Sequence, residues 1–155
     1  MPRFAILIHD HPFVHWDLLL EDGATAKTWR LLESPDRWLT AAVPATLAAE
    51  PIADHRLVYL EYEGEISRER GTVVRWDAGE FEWLDQSTNC YQFRLCGRRL
   101  AGHVTLQRHA ETCQWAASYS ESKTENRKPK IPKACPSSSS LAATDPRRQT
   151  ESVPP

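Results

Sequence analysis

The sequence predicts an all-β fold, a single closed or nearly closed β-barrel of short antiparallel strands over residues 1–120, with a disordered tail over residues 121–155. Three observations carry this. Short runs of β-branched and aromatic residues recur at close spacing between Gly, Asp and Pro turn signals, with little helical periodicity. Six tryptophans in 155 residues suit a compact, aromatic-rich β core. From Glu121 onward there are no aromatics, Ser137 to Ser140 is a homopolymer, and Ile131, Leu141 and Val153 are the only large aliphatics. Such a segment buries too little apolar surface to offset its ordering entropy.

Taken in order, Arg3 to His9 is apolar and strand-like, Asp10-His11-Pro12 is turn-rich, and residues 13 to 21 form a second run, so the two runs are predicted to pair as a hairpin. Asp22-Gly23 turns the chain into a third strand, Ala26 to Leu32, which Ser34-Pro35-Asp36-Arg37 ends. Residues 39 to 54 are alanine-rich with Pro44 and Pro51 and are expected to form a short helix flanked by loops, or a loop crossing the sheet. His55 to Tyr62 resumes strand character. Gly71 to Trp76 and Glu80 to Trp83, separated by Asp77-Ala78-Gly79, are predicted to form a hairpin. Tyr91 to Leu95, Gly102 to Gln107 and Gln114 to Tyr119 supply three more strands. Trp16, Trp76 and Trp115 are assigned to the core.

A net charge of −2 argues against indiscriminate polyanion binding. The tail is the basic part, with seven Lys and Arg against four Asp and Glu. Cys90, Cys96, Cys113 and Cys135 lack C-x-x-C spacing, so no zinc ribbon or thioredoxin motif is readable. Neither a secretory signal nor a membrane span is expected from the residue pattern, and a cytoplasmic protein with reduced thiols is expected. P-loop, G-x-G-x-x-G and G-x-S-x-G motifs are absent.

The chemistry concentrates in residues 9 to 23. On an extended segment His15, Asp17, Leu19 and Glu21 share one face, while Val14, Trp16, Leu18 and Leu20 share the other. The hairpin brings His9 beside His15 and Asp17. Two neutral imidazoles and one carboxylate make a site for a divalent metal such as Mn, Fe or Zn, with positions left open for water or substrate. Glu21 is a candidate acceptor for orienting a ligand histidine.

The ordered set His9, His15, Asp17, Glu21, Thr28-Trp29, His55-x-x-x-Tyr59, Glu63-Gly64 and Gly71-Thr72-Val73-Val74-Arg75-Trp76-Asp77-x-Gly79 resembles the 3′-phosphoesterase domain of bacterial DNA ligase D and its stand-alone relatives. The resemblance runs from about residue 4 to 118 and includes Leu100 to Arg108 and Trp115. It implies a β-barrel enzyme that uses a divalent metal, preferably manganese, to remove a terminal phosphate or ribonucleotide from nucleic-acid 3′ ends in end-joining repair. It also implies that His9, His15 and Asp17 hold the metal and that His55 and Tyr59 contact the scissile phosphate. End-joining repair proteins are the expected partners.

This chain departs from the family pattern at its cations. Leu19 stands where the family has an arginine. Arg30-Leu31-Leu32-Glu33 replaces a Pro-Lys-Gly, and Ala41 to Asp54 lacks the expected basic residue, with Ala53 in place of a glutamate. Each lost cation removes a charge-assisted phosphate contact of roughly 1.5–3 kcal/mol. Arg30 and Arg56 are the leading phosphate-binding candidates to replace them, with Arg68 and Arg70 behind. Two alternatives follow: a degenerate, metal-containing binding module of end joining, and a non-haem iron oxygenase built on His15, Asp17 and a distal His103.

Overall fold

In a computed structural model of the protein, residues 1–41 and 45–122 are described; the tail expected over residues 121–155 lies outside them from residue 123 on. The fold is all-β. Nine strands are described: β1 (Arg3–His9), β2 (His15–Asp22), β3 (Thr25–Leu31), β4 (Thr46–Arg56), β5 (Gly64–Glu65), β6 (Thr72–Gln86), β7 (Cys90–Gly97), β8 (Ala101–Arg108) and β9 (Trp115–Glu121). Their order is β1-β2-β3-β4-β9-β8-β7-β6-β5, and a β1–β6 pairing closes eight of them into a ring, with β5 attached to β6. Every pairing is antiparallel.

Alternation along the strands divides the apolar residues between two clusters. Phe4, Ile6, Leu18, Leu20, Trp29, Leu31, Phe81, Phe93 and Val104 fill the main one, which includes Trp76 and has Trp16 and Trp115 packed against it. The opposite face of β1 and β2 is also covered, contrary to a simple oil-and-polar division. Ala5, Leu7 and Leu19 join Ala26, Leu60 and Val73 there, with Leu57, Tyr59, Tyr62 and Ile66 packed on them.

Three sequence expectations are corrected. Residues 46 to 56 form a long strand rather than a loop, and Pro51 lies opposite Trp29 in its pairing with β3. After Arg56 the chain does not stay extended: Leu57–Leu60 is a 3₁₀ turn. The predicted Asp77-Ala78-Gly79 hairpin is absent, because Thr72–Gln86 is one continuous strand. Its first part pairs with β1 and its second with β7, and the register against β1 shifts between Ile6 and Leu7. A bulge of this kind bends a strand without reversing it. Gly79 is required for close approach, since a Cβ there would meet the Cys96 carbonyl.

One short helix, α1 (Asp36–Thr40), follows β3. No helix among the described residues is long and apolar enough to cross a membrane. Cys90 and Cys113 are free thiols, but Cys96 is disulfide-bonded, which corrects the expectation of reduced thiols there.

Candidate metal centre

The β1–β2 hairpin sets His9 directly opposite His15, and Asp17 follows two residues along the same face. Ligand atoms of His9, His15 and Asp17 lie within 4.8 Å of one another. His15 is fully buried and Asp17 nearly so.

Both rings are oriented by backbone carbonyls. His15 donates from Nδ1 to the Phe13 carbonyl at 2.8 Å, which leaves the Nε2 lone pair facing Asp17 Oδ1 at 3.2 Å. In the neutral tautomer that donates from Nε2 to the Arg70 carbonyl at 2.8 Å, His9 turns its Nδ1 lone pair to Asp17 Oδ2 at 3.3 Å. His15 Nε2 and Asp17 Oδ1 are buried with no hydrogen-bond partner. Burial pushes the His15 pKa down, against the pull of the Asp17 carboxylate, which keeps the ring neutral at pH 7. Two lone pairs converging on a buried carboxylate repel unless a cation lies among them. A divalent metal satisfies all three ligands, and the donor set of two nitrogens and one carboxylate suits it.

The Arg70 carbonyl is itself held in place. Asp10 accepts hydrogen bonds from the Thr72 amide at 2.8 Å and the Thr72 hydroxyl at 3.1 Å, which hold its pKa below the usual carboxylate range. Gly71 between them adopts φ +82°, and a Cβ there would strike Asp10 and His11. Glu21 does not orient a ligand histidine. It accepts from the Arg3 amide and guanidinium, a cross-strand pair that holds its pKa down.

A cleft of about 300 Å³ opens over this face, lined by His9, Asp17, Ala53, Asp54, His55, Arg56, Tyr59 and Arg70 among others. His55 at the end of β4 and Tyr59 in the 3₁₀ turn meet edge to face, ring centroids 5.8 Å apart. His55 donates from Nδ1 to the Ala53 carbonyl, leaving Nε2 available. The Arg56 guanidinium lies 5.8 Å from the Tyr59 ring centroid. Arg70 is braced by Nε donation to the Ser67 carbonyl at 2.9 Å. Arg70 is therefore a cation that ranked low on sequence but lines the cleft, while Arg30 is not among its lining residues and packs instead against Phe13. The tertiary pairing of Arg70 with His9 leaves no mark at nearby sequence positions.

Leu19, where the resemblance implies an arginine, has no exposure and belongs to the apolar cluster on which Tyr59 packs. Leu19→Ala is expected to cost about 3 kcal/mol of stability through the cavity it leaves, measured by urea denaturation of the metal-free protein.

His103 is not part of this group. It lies opposite Arg94 on β7, with the guanidinium 3.4 Å from Nε2, and so gives no support to the two-histidine, one-carboxylate arrangement with His15 and Asp17. Burial, aided by Arg94, pushes its pKa below 6.5. The unfolded chain thus takes up this proton at a higher pH than the folded one. The corresponding stability is present above about pH 6.5 and is lost as pH falls toward the folded pKa. His103→Gln should flatten the stability profile between pH 7 and 5, as read by urea denaturation at each pH.

The family model of the DNA Ligase D 3′-phosphoesterase domain matches residues 8–108. The multifunctional non-homologous end joining protein LigD of Pseudomonas aeruginosa is 31% identical over 124 residues, covering 73% of this chain and 14% of that protein.

Proposed function

The chain belongs to the DNA ligase D 3′-phosphoesterase domain family, and from that premise we propose that it is a metal-dependent phosphoesterase trimming nucleic-acid 3′ ends. The substrates are a terminal 3′-phosphate or 3′-ribonucleotide, the metal is manganese, and the setting is DNA end joining in the cytoplasm beside end-joining repair proteins. The observation that carries the proposal is the buried Asp17 carboxylate facing the lone pairs of His9 and His15 at the edge of a cleft that also holds His55 and Tyr59.

His9 Nδ1, His15 Nε2 and Asp17 would hold a divalent metal, which would supply positive charge to polarise a phosphoryl oxygen. The remaining work falls to the chain's own groups. Arg56 and Arg70 attract and orient the phosphate in the cleft by charge-assisted hydrogen bonds, replacing cations that the family pattern has elsewhere. Tyr59 donates its hydroxyl proton as a hydrogen bond to a phosphate oxygen. As water adds to phosphorus and the bond to the leaving oxygen breaks, His55, with Nδ1 committed to the Ala53 carbonyl, gives a proton from Nε2 to that oxygen.

The test is processing of labelled primer-templates ending in 3′-phosphate or 3′-ribonucleotide, with and without Mn²⁺. The wild type should release phosphate and nucleoside only with metal, and His9→Ala should release neither. Equal behaviour of the wild type and His9→Ala would remove the proposal. One observation favours a second reading, a binding module without turnover: Leu19 is buried where the family carries a cation. That reading predicts end binding with no product under any metal.

A further inference from the structure

We propose that Phe13 and Arg30 form a platform for a nucleobase beside the metal centre, so that the site reads the nucleotide attached to the phosphate as well as the phosphate itself. This rests on the phosphoesterase reading above. Phe13 is an aromatic side chain left 49% exposed in the turn that delivers His15. Its carbonyl fixes the His15 ring, and the two rings stand edge to face with centroids 5.4 Å apart. The platform therefore adjoins the proposed metal ligands through a rigid connection.

Arg30 completes it. Its position on β3 is directly opposite Asp17, and its guanidinium carbon lies 5.6 Å from the Phe13 ring centroid. Nε is buried, so the donors facing outward are the terminal nitrogens, and there the Glu50 carboxylate is 3.9 Å from Nη1, a long contact. An exposed aromatic surface next to unspent N–H donors matches a flat group with acceptors on its edge. A nucleobase has that shape, and every base offers a π-face, so the platform tolerates any sequence. Arg56 and Arg70 in the cleft face the phosphate, and Phe13 and Arg30, outside the cleft lining, take the adjoining base.

The test compares two 5′-fluorescein oligonucleotides in Mn²⁺ by fluorescence anisotropy. One ends in an ordinary nucleotide with a 3′-phosphate, and the other ends in an abasic residue with the same phosphate. The wild type should bind the first about tenfold more tightly, the scale of one stacked base. Phe13→Ala should erase that difference and Phe13→Trp should keep it. Equal wild-type affinity for the two ends, or equal weakening of both by Phe13→Ala, overturns the inference. Hydrolysis of bis(p-nitrophenyl) phosphate by the wild type separates the two levels of argument. Turnover of that small ester with no discrimination between ends sinks the platform alone, whereas no turnover and no binding of either end sink the phosphoesterase reading with it.

Discussion

Asp17→Asn is expected to abolish Mn²⁺ binding and 3′-end processing while making the metal-free protein more stable by about 1 kcal/mol, the net contribution of one buried hydrogen bond. The wild-type carboxylate faces lone pairs of both histidines, with His15 Nε2 3.2 Å away and unpartnered. An asparagine amide turns one of those repulsive contacts into N–H donation to His15 Nε2, and it removes the negative charge that a divalent cation requires. Loss of function with gain of apo stability is the signature of a site whose arrangement serves a metal. Thermal or urea denaturation in EDTA, beside a Mn²⁺ titration, reads both effects. Lower apo stability in Asp17→Asn would point instead to a structural ion pair.

Asp77→Ala should destabilise the fold by about 3–5 kcal/mol and leave the Mn²⁺ affinity of the folded protein unchanged. This buried carboxylate accepts from the amides of Ala78 at 2.9 Å, Arg98 at 2.8 Å, Arg99 at 3.2 Å and Leu100 at 3.0 Å. Its loss strands several donors in the turn between β7 and β8, at about 1–3 kcal/mol for each donor that water cannot reach. Gly97 sits against the same carboxylate, where a Cβ would collide with it and with Phe4. Denaturation midpoints with Mn²⁺ titrations of the native protein check the two halves of this expectation. Unchanged stability would mean that water satisfies the turn.

The same aspartate shows where sequence reasoning fell short. Asp77-Ala78-Gly79 has the composition of a tight turn, yet the Asp77 side chain caps a different turn 21 to 23 residues on, and its backbone stays in β6. A long-range partner overrode a local preference. Residues 46 to 54 failed for a related reason. Alanines and Pro51 have weak strand propensity, and only pairing with β3 and β9 makes them a strand. By contrast, the clustering of His9, His15 and Asp17 was legible, because alternation and a short turn are enough to bring them together on one face. The partners that aim them were not. The Phe13 carbonyl is a backbone group, and the Arg70 carbonyl is sixty-one positions from His9. Glu21 had the right spacing to act on a histidine but met Arg3, whose full charge wins over a neutral ring.

The central claim is that His9, His15 and Asp17 are metal ligands, and Mn²⁺ titration followed by electron paramagnetic resonance tests it most directly. One tightly bound Mn²⁺ per chain is expected, with a signal showing nitrogen ligation and with loss of that binding in His9→Ala, His15→Ala and Asp17→Ala. A wild type that binds no Mn²⁺, or one whose binding survives all three substitutions, would contradict it.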